Sequence, residues 1–135
     1  MGNYDYLNHA RHNKDACDYI YTDGNFPDWV VTTAFYSCLH FIKNKLFPLR
    51  YTNDFGKTKT YNNFEHAVRD LKHHDQTKHE FLAELTEEIL EETSDKYRQL
   101  MDLCMKARYR NYKITEDEVV FARNVLKEVA DECEC

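Results

Sequence analysis

The stretch Phe26-Pro27-Asp28-Trp29-Val30-Val31-Thr32-Thr33-Ala34-Phe35-Tyr36-Ser37-Cys38-Leu39-His40-Phe41-Ile42 decides the fold. Pro27 suits the first turn of a helix, where a missing N–H costs nothing, and Asp28 suits the positive end of the helix dipole. No residue from Trp29 to Ile42 is charged, and apolar side chains fall on nearly every face. A helix of this kind belongs in the middle of a bundle. The small residues Ala34, Ser37 and Cys38 lie between large ones and permit close helix approach. Lys43 and Lys45 suit the negative end, so a central apolar helix is expected over about 27–46. The uncharged run is shorter than the roughly 20 residues needed to cross a bilayer.

Working outward, the 135 residues contain only 3 Gly and 2 Pro, too few for the many tight turns of a sandwich or barrel. With 42% hydrophobic and 14% aromatic residues the chain has enough apolar mass to bury a core. Helical spacing recurs before the central helix, from about Asn3 to Tyr21, and Gly24 is a natural left-handed stop. A short helix is expected over about Asn63–His73, with Phe64, Ala67, Val68 and Leu71 on one face. Phe81, Leu82, Leu85, Ile89 and Leu90 mark another over about Gln76–Glu92, acidic on its other side. Ser94 can open a basic helix carrying Tyr97, Leu100, Met101, Cys104 and Met105. Thr115-Glu116-Asp117-Glu118 reads as a capping box for a last helix. Pro48–Thr60 reads as an irregular, mobile loop, and residues 131–135 as a frayed tail. The expectation is one all-α domain spanning 1–135, an antiparallel four- to five-helix bundle.

The net charge is −6, from 18 basic and 24 acidic residues, which disfavours a protein that coats duplex DNA. The 5 cysteines have no disulfide-framework spacing and the start has no signal-peptide pattern, so a cytoplasmic protein with free thiols and no membrane partner is expected. Gly-x-Gly-x-x-Gly and Walker-type loops are absent, and no cofactor is expected. His9-x-x-His12 and the His73, His74, His79 group are better explained as solvated side chains than as a metal site, because zinc needs three or four supported ligands.

Three stretches together resemble the HEPN superfamily, in its prokaryotic single-domain branch. They are Tyr6-Leu7-x-His9-Ala10-Arg11-His12-Asn13, the central-helix motif Asp28-Trp29-x-Val31-x-x-Ala34-Phe35-Tyr36-x-x-Leu39-His40, and His66-x-x-Arg69 followed by Tyr97-x-x-Leu100 and Ala107-Arg108-Tyr109. The resemblance implies a helical bundle, often a homodimer, tied to RNA cleavage, nucleotide binding or toxin–antitoxin and defence-type systems. Ribonucleases of the superfamily carry Arg-x(4–6)-His near the start of a late helix, paired across a dimer. At that place this chain reads Arg108-Tyr109-Arg110-Asn111-Tyr112-Lys113, without a histidine. Arg69-x(4)-His74 fits the spacing but falls at the end of the short third helix.

The candidate ligand-binding residues are Arg69, Arg108, His40 and His66. Two guanidinium forks suit phosphate oxygens, with the histidines beside them in a polar pocket. Each also has a plainer reading: His40 as a core histidine, Arg108 as an arginine paired with a carboxylate. The leading expectation is a module binding RNA or a nucleotide phosphate. The alternatives are a metal-independent ribonuclease using Arg69 and His74 as catalytic residues across a dimer, and a scaffold that binds a partner protein. Tyr109 and Tyr112 alternate with Arg108 and Arg110, which would suit base stacking, although aromatics at helical spacing more often fill a core.

Overall fold

The central helix, α2, runs Pro27–Leu46 with Pro27 in its first turn, and its core side chains Val31, Phe35, Phe41 and Ile42 are fully or almost fully buried. The computed structural model describes residues 5–90 and 92–133. Asn3, Tyr4, Glu91, Glu134 and Cys135, which figured in the expected elements, lie outside the described residues. Among those described, the other helices are α1 (Tyr6–Asp23), α3 (Phe64–Leu71), α4 (Lys78–Ile89), α5 (Ser94–Tyr109) and α6 (Glu116–Cys133). The fold is an all-α helical bundle, with six helices among the described residues where four or five were expected.

Local chemistry sets the boundaries. Asp5 accepts the Asn8 N–H to cap α1, and Gly24 ends it with φ at 82°, a left-handed conformation that glycine adopts without strain. Asn63 caps α3 through the His66 N–H, and Thr77 caps α4 through the Glu80 N–H. The capping box of α6 is complete: the Glu118 N–H donates to Thr115 Oγ1 at 3.1 Å, and Glu118 Oε1 accepts from the Thr115 N–H at 2.9 Å.

α2 packs on α1, α5, α6 and α4. Ser37 Oγ donates to the Ala10 carbonyl at 2.7 Å, a buried bond that its small side chain makes possible, and so fixes α2 against α1. Phe35 stacks on Tyr97 of α5 at 5.5 Å between ring centres. The Phe64 N–H donates to Tyr6 Oη at 3.0 Å, which ties the start of α3 to α1. The acidic and basic helices meet through Arg98–Glu87 at 2.7 Å, while Lys96–Glu128 and Lys106–Glu118 join α5 to α6. Such exposed pairs contribute little each.

Two expectations are corrected. Pro48–Thr60 is not irregular: β1 (Leu49–Thr52) and β2 (Thr58–Tyr61) form an antiparallel hairpin with Leu49 opposite Tyr61 and Thr52 opposite Thr58. Asn53 Oδ1 accepts the Phe55 and Lys57 N–H groups, and Gly56 supplies φ at 78°, which together close the turn. The tail is helical as far as Cys133, because that side chain is fully buried in the core and holds the last turn down.

Candidate ligand-binding groove

The central helix, apolar on nearly every face, has one polar face. Trp29, Thr33, Tyr36, His40 and Lys43 recur at helical spacing along α2, so they share a stripe. Trp29 is 52% exposed, and the other four are half-buried. The stripe is about 21 Å long at 1.5 Å per residue. Cavities open along it. One, of about 400 Å³, is lined by His9 and Asn13 of α1, Trp29, Thr32, Thr33, Tyr36 and His40 of α2, and Arg108 of α5. A second, of about 250 Å³, lies on the α3 and α4 side of Tyr36 and His40, where Lys43, Glu65, Lys78 and His79 complete it.

Arg108 closes the first cavity from the end of α5. Its guanidinium donates to Tyr36 Oη and lies over two rings, with Cζ 5.6 Å from the centre of Tyr36 and 4.9 Å from that of Tyr109. No carboxylate among the described residues lies within ion-pair distance of it, unlike Arg98 and Arg123, which reach Glu87 and Asp18. A guanidinium held by aromatic faces keeps donor capacity for an incoming anion.

His9 and His40 stack across α1 and α2 with ring centres 3.8 Å apart and planes inclined by 20°. Burial pushes the His40 imidazole down to about 4, with the His9 and Lys43 charges adding to the effect. Burial also lowers His9, helped by His12 and Lys43. Two stacked imidazolium rings would repel, so near neutral pH the pair supplies neutral rings that can each donate one N–H. Arg108 is then the fixed cation of this cavity. Tyr36 is raised, chiefly by burial and against the pull of Arg108, and stays a neutral hydroxyl.

The sequence-predicted site residues divide in two. Arg108 and His40 line the same cavity. His66 packs edge-on against Tyr61 at 5.1 Å, at the junction of α3 with the hairpin, where Lys59 pairs with Asp70 at 2.7 Å. Arg69 is exposed in the last turn of α3, and His74 is exposed in the turn before α4. Neither Arg69, His66 nor His74 lines the cavities along the α2 stripe. Tyr109 and Tyr112, for which core packing was the favoured reading, are each 68% exposed. Among the described residues no cluster of histidine, cysteine and carboxylate side chains could hold a metal ion, and no helix is long and apolar enough to cross a membrane.

Sequence reasoning missed Trp29, Tyr36 and Lys43 as groove residues. Their signal was the spacing of the bulky polar-edged side chains within an otherwise apolar helix.

Comparison with known protein families, curated proteins and solved structures finds no match to this chain.

Proposed function

We propose that the chain is a HEPN-like helical module that binds RNA or a nucleotide phosphate in the groove along α2, as part of a defence or toxin–antitoxin-type system. The observation that carries this reading is Arg108, a guanidinium without a carboxylate partner among the described residues, held over Tyr36 and Tyr109 at the mouth of a 400 Å³ cavity. A phosphate would take the bidentate face of Arg108, with imidazole N–H groups of His9 or His40 and the amide of Asn13 as further donors. Trp29, which also lines the cavity, and the exposed rings of Tyr109 and Tyr112 offer faces on which bases stack. This assignment uses side chains alone, as it must in a chain of 3 glycines that has no phosphate-cradling loop. The groove's charge is local, set against a net charge of −6, so the reading favours short single strands or mononucleotides over duplex DNA.

Fluorescence anisotropy with a labelled single-stranded RNA of about ten nucleotides tests the reading. Saturable binding that weakens with salt, and that weakens at least tenfold in Arg108→Ala, supports it. Absence of binding by the wild-type protein in low salt overturns it.

A further inference from the structure

The cavity on the α3 and α4 side of the groove holds chemistry that phosphate binding does not use. Lys43 projects from α2 into a lining made by Tyr36, Leu39, His40, Phe64, Lys78 and His79, with Glu65 at its edge. Its Nζ sits 4.2 Å from the centre of the Phe64 ring and 5.9 Å from that of Tyr6. No carboxylate among the described residues lies within 4 Å of it, and Glu65, the nearby acid, pairs with Lys78 at 3.2 Å. Ring faces replace only part of the water an ammonium loses. We propose that Lys43 is the nucleophilic amine of a carbonyl-binding site, which captures small aldehydes or 2-keto acids carrying an anionic group as an imine.

The chemistry balances without a redox partner. As the neutral Nζ adds to the carbonyl carbon the C=O π pair moves onto the oxygen, and a proton passes from nitrogen to that oxygen to give a carbinolamine. Its C–O bond then breaks, the nitrogen lone pair forms the C=N bond, and the oxygen leaves as water with the two amine hydrogens. His40 and His79 share the lining, and burial lowers both below the ordinary imidazole value. Near neutral pH both are neutral imidazoles, the form that takes a proton from Nζ and returns it to the departing oxygen. Burial also brings Lys43 down to about 8, against the opposing pull of Glu65 and with help from the Lys78 charge. About one amine in ten is then neutral at pH 7, against about one in three thousand at the ordinary value of 10.5. The groups facing Nζ from the packed elements are Tyr6 and His9 of α1, His40 on its own helix, Glu65 of α3, and Lys78 and His79 of α4. In the resting form, where about nine Lys43 amines in ten are protonated at pH 7, the two lysines against one glutamate leave the lining positive, which draws an anionic substrate to the site before the neutral amine reacts. Burial in a cavity is the usual route by which a lysine becomes a Schiff-base former. The proposal does not depend on the reading of Arg108.

The test is reductive trapping of the wild-type protein at pH 7 with glyoxylate and cyanoborohydride, followed by peptide mass mapping of all the lysines. Lys43 is expected to be alkylated at least tenfold faster than the exposed Lys57 and Lys127. Its rate should level off above about pH 8, the advantage should vanish in urea, and propanal, which lacks the anionic group, should react more slowly. Lys43→Arg, checked for unchanged circular dichroism, should lose the fast phase. Labelling spread over the exposed lysines with Lys43 no faster, or an advantage for Lys43 that survives in urea, overturns the site. Equal rates for glyoxylate and propanal overturn the anionic substrate class.

Discussion

The Arg108 guanidinium donates to Tyr36 Oη and lies with its Cζ 5.6 Å from the centre of the Tyr36 ring, joining the end of α5 to the polar stripe of α2. The hydroxyl takes one donor of the fork and orients the rest toward the cavity. Tyr36→Phe keeps the ring contact and removes that bond, which is worth about 1 kcal/mol. RNA binding is expected to weaken by about five- to tenfold in Tyr36→Phe, less than in Arg108→Ala, as read by anisotropy. Thermal melting should change little in either, because both side chains reach solvent.

Arg69 and His74 lie on the exposed end of α3 and in the turn that follows, away from the cavities beside α2. Arg69→Ala and His74→Ala are therefore expected to bind RNA as the wild type does. A mixed RNA pool incubated with wild type and His74→Ala reports the ribonuclease alternative separately. Cleavage by the wild type that disappears in His74→Ala would favour that alternative over the binding module.

The histidines set the acid side of stability. The unfolded chain protonates its imidazoles near 6.5, whereas native His40 stays neutral down to about pH 4, and His9 and His79 are lowered in the same direction. Between these values the unfolded state binds more protons, so stability falls as pH falls. Urea midpoints should drop between pH 7 and pH 5, above the range where the lowered carboxylates Glu118 and Asp70 titrate. His40→Gln should flatten the slope. An unchanged midpoint in the wild type over this window would contradict the burial of the pair.

Core and cap substitutions have ordinary magnitudes. Phe35 is fully buried against Tyr97, and Phe35→Ala is expected to cost about 3–5 kcal/mol in urea denaturation. Thr115→Ala removes one half of the capping box of α6 and should cost about 1 kcal/mol.

The elements that sequence made legible are those with local chemical signatures. Pro27 and Asp28 mark where α2 starts, Gly24 marks the end of α1, and Thr115 with Glu118 opens α6. The hairpin was hidden because both strands are four residues long and almost wholly exposed, so no alternation of apolar and polar residues announces them. Its Asn53-Asp54-Phe55-Gly56 turn was the available signal. Cys133 could be read as buried only with α6 docked, a tertiary effect. In the groove, Arg108 and His40 stood out by type, and the fold brings them to one cavity. Arg69 and His66 carry equally suggestive side chains, but the direction α3 takes after the hairpin sets them beside Lys59, Tyr61 and Asp70 instead. Trp29, Tyr36 and Lys43 were obscured by the apolar residues between them.

The most direct measurement uses Trp29, the 1 tryptophan of the chain, which stands 52% exposed on the lining of the Arg108 cavity. Titration with AMP, followed by intrinsic fluorescence, reports occupancy of that cavity without a label. The account predicts a saturable change in Trp29 emission in the wild type, at least tenfold weaker affinity in Arg108→Ala, and wild-type affinity in Arg69→Ala. Emission that ignores AMP and short single-stranded RNA alike, or affinity equal in wild type and Arg108→Ala, would contradict it.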